Sequence, residues 1–371
     1  MKKIWILILL HLLILPNIKI PITISRSLPN DPYINAEWGW FAVGADIAWN
    51  NGITGKGVIV AVIDTGVDYN HVELKNSVWN NTDEIAGNGI DDDGNGYVDD
   101  IHGWDFIEND NAPLDPDGHG TMVASIIAAE ANNNKYYAGV APDAKIMALR
   151  AIDPAATTDD IINAIKYAVD NGAHIISMSF GSGCWNVDDS FGEVLKYAYD
   201  HNVLLVAAAG NERSGVGYPA SNPYVIAVSA IEEDNSLSWY SNFGPEIELA
   251  GPGGATLIVA NKSYANPVYA QGTSFAAPYV SGVAALVISK YPNITVDELR
   301  KRLHIGAKDI NASGIDIYTG YGLVYAPAAL EEPTSISLLG IAICAASTGV
   351  AVSMIVVTFL LLRRKRNTIS S

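Results

Sequence analysis

Cysteine is nearly absent. The chain of 371 residues has two, Cys184 and Cys344, too few for a disulfide framework, and neither sits beside a second ligand at metal-binding spacing. Positive charge is scarce too. Lys and Arg number 22 against 40 Asp and Glu, a formal net charge of −18. A surface of that sign argues against nucleic acid or anionic lipid as partners. Charged residues make up only 17% of the chain and hydrophobic ones 49%, so material for a sizeable core is at hand. No internal repeat is evident.

Long uncharged runs occur at the two ends. Met1-Lys2-Lys3 precedes the apolar stretch Ile4–Leu15, the pattern of a secretory signal, assigned here to residues 1–22 without a clear small-residue cleavage site. Ile336–Leu362 is 27 residues without a charge. As a helix it would be about 40 Å long, against a hydrocarbon core of ~30 Å. Arg363-Arg364-Lys365-Arg366 follows, and the positive-inside rule puts residues 363–371 in the cytoplasm. The expected order is signal, folded domain over 29–330, short linker over 331–335, membrane helix over 336–362 and cytoplasmic tail. This describes a single-pass cell-membrane protein with its folded part outside. All 40 acids and 15 of the 22 bases lie in the exterior part, which therefore carries a net −25. Cys344 falls inside the span and Cys184 outside it, so the two cannot pair. Sequons begin at Asn80, Asn261, Asn293 and Asn311, all in the exterior segment.

Val58–Ile63, Ala144–Leu149, His174–Ser179, Val203–Ala209 and Tyr224–Ala230 read as strands buried on both faces. Between them Ile161, Ile162, Ile165, Ala168 and Val169 fall on one helical face, and Gly172 stops that helix. The segment from Ser190 to Asn202 repeats the pattern. Alternating helices and continuously apolar strands predict an α/β fold with a parallel sheet covered on both faces. In such sheets functional groups collect at the carboxyl ends of strands.

Asp64-Thr65-Gly66 follows the first strand directly. The triplet occurs in aspartic proteases, but there is no second copy here, and a lone copy would need a symmetric dimer. A turn aspartate serving only the backbone is the plainer alternative. His119 stands between Gly118 and Gly120 where an apolar helix begins. Asn211 follows a strand, in "AAAGNE". Ser274 follows Gly272-Thr273 at the mouth of a long helix. A serine hydroxyl needs a base, the base needs a carboxylate to hold its tautomer, and the developing oxyanion needs a donor. Ser274, His119, Asp64 and Asn211 supply these four roles, in the chain order Asp, His, Ser. The other histidines, His11, His71, His102, His174, His201 and His304, are read as structural.

"VIDTGVDYNH", "DGHGTMVASIIA", "SMSFGS", "AAAGNE", "VGYPAS" and "GTSFAAPYVSGVAAL" resemble, in order, the signature blocks of the subtilisin family of serine proteases. The likeness runs from about Pro29 to Leu330, with a thermitase-like start. It implies a three-layer α/β/α fold and a serine endopeptidase acting on polypeptides. It also implies that Ser179, Phe180 and Gly181 pair with an extended substrate, while Ala208, Ala209, Gly210 and Gly217 wall and floor the pocket for the residue before the cut. A glycine floor would admit a large apolar side chain. A binding module with a decayed protease fold and an esterase remain as alternatives.

Asp91, Asp93, Asn95, Gly96, Tyr97 and Asp99 reproduce the first nine positions of an EF-hand loop, with His102 where the closing Glu would be. Carboxylates this dense repel one another without a counter-charge, and the expectation is a structural Ca²⁺. The family resemblance implies a second calcium site at Asp31, Glu73 and the loop Asn132–Asn134, with Glu73 in place of the more usual Asp. Many secreted relatives carry an N-terminal prodomain that assists folding. No such segment fits before Pro29, so folding is expected to proceed unaided or with a helper in trans.

Overall fold

The computed structural model describes residues 28–181, 189–258 and 267–332. The signal, the expected membrane span, Cys184, Cys344 and Asn261 lie outside the described residues. Among those described, no helix is long and apolar enough to cross a membrane.

Strands β1 (Ile59–Asp64), β2 (Gly103–Asp105), β3 (Lys145–Arg150), β4 (Ile175–Met178), β5 (Leu204–Ala208), β6 (Val225–Ile231) and β7 (Ile247–Pro252) form one sheet. Their order is β2-β3-β1-β4-β5-β6-β7 and every neighbouring pair is parallel. A small antiparallel pair, Thr256–Ile258 with Val268–Ala270, stands outside it. Strand period decides which residue meets which layer. Val60 and Val62 join Ile146 and Ala148 on the face covered by helices α1 (His119–Ala128) and α4 (Thr273–Lys290). Ala61 and Ile63 join Met147 and Leu149 on the other face, under α2 (Thr158–Asp170) and α3 (Asp189–Asp200). This is the expected three-layer α/β/α arrangement. The α2 helix starts at a capping box, Thr157 with Asp160, and the backbone at Gly172 beyond its end has φ 78°. The α4 helix is apolar nearly all round, which suits its place in the core between sheet and outer helices.

The five strands expected from sequence are present within a residue or so of their expected bounds. The two edge strands were not legible. β2 is three residues long, and β7 ends in Gly251-Pro252, so neither carries the buried apolar run that marks the other five.

From β1 the chain crosses to the edge strand β2, returns inward to β3 beside β1, and then runs from β4 outward through β7. The direction reverses between β1 and β4, so the crevice at their carboxyl ends is where such sheets offer a site. Asp64 ends β1 and Ser179 follows β4. Arg150 pairs in register with Asp64 across β1 and β3. Its guanidinium is clasped by Asp105 at 2.6 Å and Asp153 at 3.3 Å. Just beyond it, the amides of Ala151 and Ile152 donate to the Asp64 carbonyl at 3.0 and 3.1 Å, fixing the backbone from which the Asp64 side chain departs.

Candidate active site

Asp64 is 1% exposed. Its Oδ1 accepts from the Thr65 amide at 2.8 Å and meets His119 Nδ1 at 2.7 Å. Two glycines allow this contact. A Cβ on Gly120 would lie 2.1 Å from the Gly66 carbonyl, and one on Gly66, at φ +107°, would lie 2.6 Å from the Leu114 carbonyl. The β1 loop and the start of α1 thus touch through bare backbone. Asp115 ties them further. Its Oδ1 accepts from Thr65 Oγ1 and from the amides of Asp117 and Gly118, and its Oδ2 accepts from the amide and hydroxyl of Thr121.

Burial works against charging the His119 ring. The Asp64 carboxylate in contact with it, with Asp117 and Asp115 behind, outweighs that cost and raises its pKa from 6.5 to about 9. With Nδ1 committed to Asp64, Nε2 is the nitrogen left to exchange protons with a ligand.

Ser274 is the second residue of α4, after Gly272 at φ 148°. Its neighbour Phe275 brings α4 to His119, with ring centroids 5.6 Å apart. Ser274 and Ser179 clasp one another. Ser274 Oγ donates to the Ser179 carbonyl at 3.0 Å, and Ser179 Oγ donates to the Ser274 carbonyl at 2.7 Å. Asn211 Oδ1 accepts from the amide of Thr273 at 2.8 Å and its hydroxyl at 3.0 Å. Those bonds identify the oxygen end of the amide and leave Nδ2 as the donor available to a ligand. The Thr273 hydroxyl also accepts from the Gly210 amide at 3.1 Å. A Cβ on Gly181 would meet the Tyr218 carbonyl at 3.1 Å and the Ala208 carbonyl at 3.6 Å, so these segments face one another closely. The Gly217 amide donates to the Ala209 carbonyl, closing the loop that carries Ala208, Ala209 and Gly210. Phe180 packs half-buried against the α2–α3 layer. His71, His174 and His304 take structural bonds, to the Glu73 amide, the Ile59 amide and the Glu248 carboxylate.

The acidic loop is organised differently from an EF-hand. Asp91 spends both oxygens on the amides of Gly94, Asn95 and Gly96, and Asp99 turns to those of Asn88 and Gly89. The Asn95 Oδ1 accepts from the Tyr97 amide. The carboxylates that converge are Glu84, Asp93 and Asp100, with oxygens within 4.8 Å of one another. Only Asp93 among them belongs to the set read from sequence. Their side-chain donors are the amides of Asn81 and Asn95 and the Tyr167 hydroxyl. At the second location Asp31 accepts from the amides of Asn132 and Asn133, and the Asn133 side chain reaches both Glu73 oxygens at 3.2 Å. Asn132 and Asn134 turn to Asn30 instead. Glu73 is fully buried. Burial, with the nearby Asp31 adding to it, raises its carboxyl from 4.5 to about 7 against the opposing Asn133 bond. An all-oxygen donor set and a buried carboxylate that resists ionising both fit a hard divalent cation.

The family model described as "Subtilase family" matches residues 55–322. A thermophilic serine proteinase of Bacillus sp. (strain AK1) is 36% identical over 300 residues, which cover 80% of this chain and 67% of that protein. Thermitase of Thermoactinomyces vulgaris is 33% identical over 292 residues, covering 77% and 94%. Among solved structures, a protease chain from Pseudoalteromonas arctica superposes with a TM-score of 0.69 at 28% identity, covering 82% of this chain and 99% of that one.

The raised affinity of His119 for a proton has a direct readout. In an NMR titration its ring should keep its proton well above pH 6.5, the ordinary value. Asp64→Asn should return the midpoint toward or below 6.5, because burial then acts with less opposition. A wild-type midpoint at or below 6.5 would show that the carboxylates do not outweigh burial.

Proposed function

The chain belongs to the subtilase family of serine proteases, and we propose that it cleaves peptide bonds through an acyl-enzyme on Ser274. The observation that carries this reading is the 2.7 Å contact of Asp64 with His119, on a helix that Phe275 joins to the helix bearing Ser274. Ser274 Oγ turns from the Ser179 carbonyl to His119 Nε2 and attacks the scissile carbonyl carbon. The hydroxyl proton passes to Nε2 as the new C–O bond forms. The oxyanion lies against Asn211 Nδ2 and the Ser274 backbone N–H. When the C–N bond breaks, Nε2 gives the proton to the leaving amine. A water then repeats the sequence and releases the acid. Asp64 stays ionised and stabilises the imidazolium. Ser179–Gly181 pairs with the substrate backbone, and a glycine floor at Gly217 leaves room for a large apolar side chain before the cut.

Ser274→Ala and His119→Ala should each abolish nearly all casein hydrolysis, and the double variant should be little worse, since triad members act as a unit. Asn211→Ala should lower kcat about 100- to 1000-fold with little change in KM. His119 must be neutral to accept the serine proton, so kcat/KM should climb with pH through a midpoint above 6.5 and toward 9. Turnover surviving in Ser274→Ala would overturn the assignment. Failure of a serine-directed fluorophosphonate to label Ser274 would favour a binding module instead.

We also propose two structural Ca²⁺ sites, one at Glu84, Asp93 and Asp100, the other at Asp31 and Glu73 with oxygens of the Asn132–Asn134 loop. Bound calcium would supply the positive charge these carboxylates lack and stabilise the folded form, by about 2.7 kcal/mol at a hundredfold excess over Kd. Chelation should lower the melting temperature of an inactive Ser274→Ala domain, and Asp93→Ala should shrink that dependence. Without the ion, stability should decline as pH rises from about 4.5 to 7, because the folded state holds the Glu73 proton more tightly than the unfolded one. Metal analysis finding no calcium would refute the proposal.

The uncharged run over 336–362 and the basic cluster after it support a single-pass anchor with the active site outside. Protease added to intact cells should digest the domain and spare a tag placed after Ser371. The opposite protection pattern would refute this topology.

A further inference from the structure

We infer that Asn242 is a positioning residue that holds the oxyanion donor Asn211 and the adjoining pocket wall in register. This inference rests on the function proposed above. Asn242 lies between β6 and β7, far in sequence from both Asn211 and Ser274, and is 2% exposed. Its side-chain amide makes four hydrogen bonds, all to the single loop from Ala209 to Ser214. Nδ2 donates to the Ala209 carbonyl at 3.0 Å and to Glu212 Oε2 at 2.8 Å. Oδ1 accepts from the amides of Glu212 and Ser214, each at 2.9 Å. Two donors and two acceptors exhaust what such an amide offers. The Asn242 backbone amide adds a fifth tie, to the Gly210 carbonyl at 2.9 Å.

The loop is therefore wrapped around one buried side chain, with Asn211 at its crest. Glu212 passes the restraint on, since its Oε2 also accepts from the Asn211 amide at 2.9 Å. Asn211 is consequently gripped twice. Thr273 holds its side-chain oxygen, and the Asn242–Glu212 pair holds its backbone. The tightness shows at Gly210, whose φ is +109° and where a Cβ would lie 2.3 Å from Asn242 Nδ2. An oxyanion donor gains its value from being fixed before charge develops. Slack in the backbone beneath Asn211 would spend that advantage on reorganisation during the reaction.

A residue that acts through Asn211 should matter only while Asn211 is there to be positioned. Asn242→Ala should lower kcat roughly tenfold or more, short of the ~10²–10³ expected for removing the donor itself. In an Asn211→Ala background the same substitution should cost less than about threefold, so that the two effects fail to multiply. Glu212→Ala, which removes one leg of the brace from an exposed position, should give a smaller loss of kcat with the same non-additivity, and it serves if Asn242→Ala does not fold. Affinity for a peptide boronate, which forms a tetrahedral adduct on the serine, should fall in parallel with kcat. Loss in KM alone, full multiplication with Asn211→Ala, or unchanged boronate affinity would each overturn the inference. Fluorophosphonate labelling of the wild-type enzyme keeps this failure distinct from failure of the underlying function, because it tests the nucleophile without reference to Asn242.

Discussion

The contact between Gly120 and the Gly66 carbonyl is the constraint on which the rest of the site depends. Asp64 and His119 come from different layers, one at a strand end and one at a helix start. Their side chains are short, so a 2.7 Å contact requires the two backbones to approach more closely than any side chain would permit. Adding a methyl group at Gly120 would force the layers apart near the point where the carboxylate meets the ring. Asp115 then locks the approach with polar bonds to both partners, while Ala151 and Ile152 hold the Asp64 carbonyl from the sheet side. None of these groups needs to touch a substrate. They convert an α/β packing arrangement into a fixed charge beside an imidazole.

That arrangement explains what could be read from the sequence. Asp64, His119, Asn211 and Ser274 each stand at a strand end or helix mouth among small residues, and such runs announce close backbone approach. The five central strands are legible because burial on both faces leaves them continuously apolar. Asp115, Thr273 and Asn242 were not legible. Each is an ordinary polar residue in isolation, and its importance comes from partners elsewhere in the chain, as with Asn242 and the Ala209–Ser214 loop. Periodicity carries no trace of such pairings. The edge strands escaped for a different reason, since three residues of β2 and the Gly-Pro end of β7 carry too little apolar signal.

The acidic loop shows that spacing alone does not fix which carboxylates converge in the fold. Alternate acids from Asp91 to Asp99 match an ion-binding loop on paper. In the fold, Asp91 and Asp99 accept from backbone amides, because Gly94, Gly96 and Gly89, all at positive φ, bend the chain into tight turns that present N–H groups to them. Glu84 and Asp100 are drawn in from outside the motif. Asp100 is fully buried and bonded to Tyr167 on α2, so the loop is anchored to the layer beneath the sheet, through a residue the motif does not contain.

Two separate braces therefore serve two separate tasks. Asp115 spans the β1 loop and α1 and fixes the charged pair. Asn242 fills the turn after β5 and fixes the amide that would meet the oxyanion. They converge at the start of α4, where Thr273 holds Asn211 and the Phe275 ring lies beside His119, with Ser274 between them in sequence. The helix buries almost every residue beyond this point, so its first turn cannot shift without disturbing the core. A site assembled in this way draws its precision from the interior of the protein.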